Sequence, residues 1–212
     1  MKELLELFKK NKAWVKERLE VDKNYFKNLS KEQIPKFLWI GCSDARVPAN
    51  QIVALEPGEL FVHRNVANLF PNTDINSLSV LEYAVDILKI EHVIVCGHFG
   101  CSGVKAAMED HHLGLVDNWL RNIRDIYSKN QIELDNIEDI NKRYDRLVEL
   151  NVFQQVMNIC HTTIVQAVWQ KKQKLSIHGW VYDIKSGLLK DLNCCYSNSK
   201  QIDEIYKINL KK

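Results

Sequence analysis

The sequence predicts an α/β fold: a mostly parallel central β-sheet with an antiparallel edge strand, flanked by helices and preceded by an N-terminal helical arm. Three observations carry this reading. The apolar runs Phe37-Leu38-Trp39-Ile40 and His92-Val93-Ile94-Val95 have the length and continuity of strands buried on both faces. Helical periodicity fills the chain between them, as a strand–crossover–strand unit requires. Near the end, residues 176–184 alternate into a strand, Ser186-Gly187 turns it, and residues 188–194 return antiparallel.

In order along the chain, residues 1–30 give one amphipathic helix and part of a second, with Leu4, Leu5, Leu7, Phe8 and Trp14 set among lysines and glutamates. Residues 36–42 form the first strand. A turn over 44–48 and a short helix over 50–55 follow, and Pro57-Gly58 leads into a strand over 59–64. Leu78, Leu81, Val85 and Leu88 recur at helical spacing, so residues 76–88 are a crossover helix into the strand that ends at Cys96. Beyond Ser102 the chain turns helical. Gly114 separates two helices, residues 144–174 form one or two long ones, and residues 201–208 are expected as a closing helix.

With 212 residues, 46% of them apolar, and a formal charge of +2, the chain suits one compact domain over 1–212 and no dedicated nucleic-acid surface. No segment is apolar enough to span a membrane, and the N-terminus lacks the hydrophobic region of a signal peptide. A cytoplasmic location is expected, and with it six free thiols rather than disulfides.

The chemistry concentrates in two segments that directly follow strands, Cys42-Ser43-Asp44-Ala45-Arg46 and Cys96-Gly97-His98-Phe99-Gly100-Cys101. Strand carboxyl ends are where open α/β sheets bind ligands, so the two segments can converge. Cys42, His98 and Cys101 offer two thiolates and an imidazole, a set that suits Zn2+ and leaves a fourth position open. Cys96 alternates out of this set and reads as a buried small residue. Cys160, Cys194 and Cys195 are expected in core packing. Asp44 can accept a hydrogen bond from a zinc-bound water or take the fourth position itself, and Arg46 can hold that carboxylate in a bidentate fork. Gly97 and Gly100 give the turn its freedom, and backbone N–H groups near Ser102 and Gly103 can face an anion.

At this point the chain resembles the β-class carbonic anhydrases. The resemblance rests on Gly41-Cys42-Ser43-Asp44-Ala45-Arg46-Val47-Pro48, Val62-His63-Arg64-Asn65-Val66-Ala67-Asn68, Leu81-Glu82-Tyr83-Ala84-Val85, Gly97-His98-Phe99-Gly100-Cys101 and His178-Gly179-Trp180-Val181-Tyr182-Asp183. It implies reversible hydration of CO2 to bicarbonate and a proton, with one Zn2+ per subunit on Cys42, His98 and Cys101, and Asp44 with Arg46 as the catalytic dyad. It further implies a dimer or dimer of dimers, with the arm packed on a partner subunit. Gln33, Phe61, Val66, Tyr83, Leu88 and Gly103 would line the substrate pocket, some of them from the neighbouring subunit. By residue type alone Phe61, Val66 and Leu88 read as core.

Trp39, Arg64 and Tyr182 match the positions that hold a non-catalytic bicarbonate in regulated members of the family, which implies an allosteric site. The other reading of these three is a core indole, a structural ion pair and a strand cap. Ser102, Ala45 and Asn50 depart from residues common in the family, glycine, serine and glutamate. Rival readings are a structural zinc protein with Asp44 as permanent ligand, a related hydrolase of a sulfur analogue of CO2, and a redox protein using Cys194-Cys195. The last lacks Cys-x-x-Cys spacing.

Overall fold

The computed structural model describes residues 2–209 and divides into two units, 1–34 and 35–212. The first holds α1 (Lys2–Val21) and α2 (Tyr25–Leu29). Within it the Trp14 ring meets Phe26 edge-on at 5.3 Å and Tyr25 at 6.4 Å, so a small aromatic cluster joins the two helices. Leu4, Leu5, Leu7 and Phe8 on α1 are exposed.

The second unit is built on five strands: β1 (Phe37–Cys42), β2 (Leu60–Asn65), β3 (His92–His98), β4 (Ser176–Asp183) and β5 (Leu188–Tyr196). Their spatial order is β2-β1-β3-β4-β5; all pairs are parallel except β4–β5, as the sequence predicts. The chain runs from β1 to β2 on one side and then to β3 on the other, which opens a crevice at the carboxyl ends of β1 and β3. Cys42 ends β1 and His98 ends β3.

Both sheet faces are covered, which explains the unbroken apolar runs. Leu38, Ile40, Val93, Val95, Ile177 and Val181 face the larger core, beneath α4 (Ile75–Glu82), α5 (Ser102–Met108), α6 (Val116–Lys129), α7 (Gln131–Asp135), α8 (Ile140–Cys160) and α9 (Thr163–Gln170). Trp39, Ile94 and Cys96 face a smaller cluster with Ala49 and Ile52 of α3 (Ala49–Ile52). Helix α8 begins where the Asp139 carboxylate caps the Asn141 and Lys142 N–H groups. It buries Val148, Val152, Val156 and Ile159 at three- and four-residue steps.

Three expectations are corrected. Residues 201–208 are not a helix: Ser199–Gln201 and Glu204–Tyr206 are isolated 3-10 turns, and the second is followed by extended Lys207, which ends the helical path. The crossover helix does not run uniformly to Leu88, because Tyr83–Ile87 widens into a π turn. Cys195 is exposed on the edge strand, while Cys160 and Cys194 are buried as expected.

Close approach of α8 to the sheet depends on Gly179. A Cβ there would lie 3.1 Å from Val152 Cγ1, 3.2 Å from Cys194 Cβ and 3.3 Å from Val156 Cγ2. Gly179→Ala is expected to destabilise the fold by about 1–3 kcal/mol, read as a lower urea midpoint, and Val152→Ala in the same chain to restore part of it. An unchanged midpoint in Gly179→Ala would show that α8 is not in tight contact there.

Candidate metal centre

Cys42, His98 and Cys101 converge: all three are buried, and their ligand atoms lie within 4.8 Å of one another. The two sulfurs are 3.9 Å apart. A tetrahedral zinc with sulfur at about 2.3 Å spaces two thiolates about 3.8 Å apart, so the pair already has the edge length of such a site. His98 Nδ1 lies 3.3 Å from the Phe99 carbonyl. With the proton on that nitrogen, the lone pair of Nε2 faces the sulfurs, and Nε2 is buried without a hydrogen-bond partner. An orphaned imidazole nitrogen beside two buried thiols fits a divalent metal of borderline softness.

The local fold also prepares the sulfurs for charge. The Cys42 thiol is held below the usual cysteine range, chiefly by the hydrogen bond from Cys101, with the backbone N–H groups of Asp44 and Ala67 adding to it. Cys101 is pushed up by the same hydrogen bond and by burial, although the N–H groups of Gly103 and Val104, at the start of α5, face its sulfur. Only a cation lets both ionise together.

Asp44 stands beside this set, its side chain 12% exposed. Arg46 holds it through a fork, Nε to Oδ1 at 2.9 Å and Nη2 to Oδ2 at 2.6 Å, and the Arg46 backbone N–H donates to Oδ1 at 2.9 Å. The fork keeps the carboxyl well below the usual carboxylate range. Asp44 Oδ2 lies 3.8 Å from His98 Nε2, so the carboxylate borders the ligand set while paired to arginine. Arg64 fixes the loop from the other side, donating to the Cys42 carbonyl at 2.8 Å and the Asp44 carbonyl at 2.6 Å.

A family model described as carbonic anhydrase matches residues 37–189. The chain is 46% identical over 203 residues to a carbonic anhydrase of Emericella nidulans, covering 95% of this chain and 89% of that one. The chain belongs to the β-class carbonic anhydrases. Among solved structures, a tetrameric β-carbonic anhydrase of Sordaria macrospora superposes with a TM-score of 0.89 at 35% identity, covering 92% of this chain and all of that one. A Coccomyxa β-carbonic anhydrase solved with acetazolamide gives 0.87 at 41% identity, over 92% of this chain and 88% of that one.

The remaining residues singled out by the family resemblance are more dispersed. Phe61 packs against Tyr83 at 5.9 Å, and Leu88 is half-buried against the larger core. Val66 Cγ1 lies 3.1 Å from where a Gly103 Cβ would stand, which ties β2's carboxyl end to the start of α5. Val66 and Tyr83 are 39% and 44% exposed, so in a single chain they line open surface rather than a closed pocket. Gln33 belongs to the N-terminal unit, where it is exposed. Trp39 is buried in the smaller cluster and Tyr182 packs against that cluster, while Gly41, which the Trp39 indole Nε1 closely approaches, is in register with Arg64. Among the described residues, no helix is long and apolar enough to cross a membrane.

Sequence reasoning missed two features. Arg64 bonds carbonyls, not an anionic side chain. Ala67 and Asn68 both adopt left-handed backbone (φ 65° and 49°) behind the sulfurs, which nothing in their residue types announces.

Removing a thiolate is expected to remove the metal. Cys42→Ser or His98→Ala should take metal content, measured by elemental analysis of folded protein, from stoichiometric to near zero, whereas Cys96→Ser should leave it unchanged. Metal retained in Cys42→Ser would place it elsewhere.

Proposed function

We propose that the protein catalyses reversible hydration of CO2 to bicarbonate and a proton, with zinc held by Cys42, His98 and Cys101 and with Asp44 and Arg46 as the catalytic dyad. The observation that carries this is Asp44: an ionised carboxylate, forked by arginine, poised at the rim of a three-ligand metal set. Zinc bound there supplies the Lewis acidity that makes water a nucleophile near neutral pH. Two thiolates balance its charge, so a hydrogen-bond acceptor beside the open position is needed to draw off the proton. Asp44 fills that need by accepting the water's hydrogen bond and turning a lone pair toward the substrate carbon. Arg46 keeps the carboxylate oriented and off the metal.

The sign of the pH dependence follows from the depressed Asp44 pKa. The ion pair is intact at neutral pH and is lost only on acidification below the ordinary carboxylate range, as pH falls through the folded-state value. Any neutral-range activity profile therefore reports a group other than Asp44 while the fork holds.

Bicarbonate regulation through Trp39, Arg64 and Tyr182 is part of the same reading. Arg64 is bonded to the two carbonyls that bracket the Cys42–Asp44 loop, so an anion drawing on its guanidinium would loosen the segment that keeps Asp44 away from the metal. The pocket walls Gln33, Phe61, Val66, Tyr83 and Leu88 complete the site across subunits in a dimer or dimer of dimers. The exposed Leu4, Leu5, Leu7 and Phe8 of α1 give the arm an apolar face for a partner subunit. Light scattering should find a dimer or tetramer that dissociates when residues 1–34 are removed; a monomeric full-length chain would overturn the shared site.

Stopped-flow hydration of CO2 by zinc-loaded protein tests the chemistry. Asp44→Asn is expected to lose about 10²–10⁴-fold in kcat, and Arg46→Ala to fall in the same direction through misorientation. Added bicarbonate should inhibit the parent enzyme below neutral pH, and Tyr182→Phe should relieve that inhibition. Absence of hydration with zinc bound in full would point instead to another substrate or a structural metal, and inhibition that persists in Tyr182→Phe would remove the regulatory site.

A further inference from the structure

Hydration of CO2 yields a proton as well as bicarbonate, and that proton has to leave the site. Asp44 is a poor store for it, because the Arg46 fork keeps its carboxyl well below the usual carboxylate range. A cleft of about 600 Å3 offers a way out. It opens at the carboxyl edge of the sheet between α5, α8 and the β4–β5 hairpin, and Arg46, Gly100 and Cys101 stand on its inner wall. Arg46 Nη2 lies 3.5 Å from the Gly100 carbonyl, so the guanidinium that grips Asp44 also borders the cleft. Nothing lies within 4 Å of where a Gly100 Cβ would stand, which leaves room for water against the main chain between two ligand residues.

One side chain on the walls of this cleft can hold a proton in transit. The Arg46, Lys105 and Lys185 cations have no lone pair to accept one, Asn141 offers only an amide and Tyr144 a phenol. Two carboxylates remain. Asp183 is committed to the hairpin, accepting from Lys185 N–H at 2.9 Å and from the Ser186 hydroxyl at 2.8 Å, bonds that favour its charged form. Asp145, in the second turn of α8, is half-buried, and its carboxylate makes no hydrogen bond or ion pair among the described residues. Burial pushes its pKa up, with the Asp183, Glu149 and Asp139 carboxylates acting in the same direction and Lys185 against them. On α5, Lys105 is drawn away by Glu109 at 3.6 Å and lies 5.8 Å from the Tyr144 ring.

We propose that Asp145 is the proton-transfer residue of this enzyme, taking the proton of hydration from water in the cleft and passing it to buffer outside. The inference rests on the proposed hydration of CO2. CO2 and H2O give bicarbonate and one proton; water in the cleft carries that proton past Arg46 to the Asp145 carboxylate, and a buffer base removes it and restores the carboxylate. A carboxylate brought toward neutrality by its surroundings can exchange protons in both directions. Its part begins after the new C–O bond has formed, so it bears on kcat and not on kcat/KM.

Stopped-flow hydration by zinc-loaded Asp145→Asn, across buffer concentration, tests this. At low buffer kcat should fall about 10²-fold, the lower end of what a positioned acid–base group contributes, with kcat/KM, zinc content and melting temperature parental. Added imidazole should restore kcat by taking the proton directly, and Asp145→Glu should retain most of it. Independently of turnover, infrared titration of the parent should find a carboxyl that stays protonated above the ordinary carboxylate range, and Asp145→Asn should lack it. Parental kcat at low buffer in Asp145→Asn, absence of that carboxyl in the parent, or an equal loss of kcat in Asp183→Asn would overturn the inference. A parent chain that binds zinc in full and hydrates no CO2 would instead overturn the activity on which it rests.

Discussion

Two buried thiols 3.9 Å apart are an unstable arrangement unless a cation joins them, and the rest of the structure is organised around that constraint. One thiol can ionise alone only by forcing its neighbour to keep a proton, which is the opposite displacement seen at Cys42 and Cys101. The sheet order places their supports. Cys42 and His98 end adjacent strands at the point where the chain reverses its direction of winding, and Cys101 opens the helix that follows. Backbone N–H groups from three separate segments, at Asp44, Ala67 and Gly103-Val104, then converge on the sulfurs.

The loop after β1 has to satisfy two demands at once. In the proposed reaction Asp44 sits near the metal set to act on a water and is kept from occupying the set itself. Arg46 meets the second demand from the solvent side, where it is 57% exposed, and Arg64 anchors the backbone from the sheet side. A carboxylate restrained by an exposed fork can be released by modest changes in its surroundings, whereas one buried with its arginine could not.

Much of this was legible in the residues. Apolar runs at 37–40 and 92–95 marked the parallel strands because both faces of those strands are covered, and the positions of Cys42, His98 and Cys101 just past them placed the ligands at one sheet edge. The Asp44–Arg46 fork followed from spacing. The errors fall where local pattern and tertiary packing disagree: residues 201–208 carry helical spacing, but the Gln166 side chain accepts from Ile208 N–H and donates to the Tyr206 carbonyl, holding the backbone in a path that a helix would not allow. The bonds of Arg64 to the Cys42 and Asp44 carbonyls were not legible, because residue type and spacing do not reveal which main-chain groups the fold brings to a guanidinium.

The polar side chains buried in α8 show why a metal site of this kind needs more than its ligands. Asn151 and Gln155 occupy positions on a core-facing stripe where leucine or valine would pack without desolvating an amide. Each is retained with its bonds made, Gln155 receiving the Phe70 N–H at 2.8 Å and Asn151 reaching the Ala67 carbonyl. Their partners are backbone groups of the 65–70 turn, which the left-handed residues Ala67 and Asn68 take out of regular helix and sheet pairing. A turn so placed leaves carbonyls and N–H groups that only side chains can satisfy, and the helix across the core supplies them. The amide stripe thus satisfies main-chain groups that a left-handed turn leaves without helix or sheet partners.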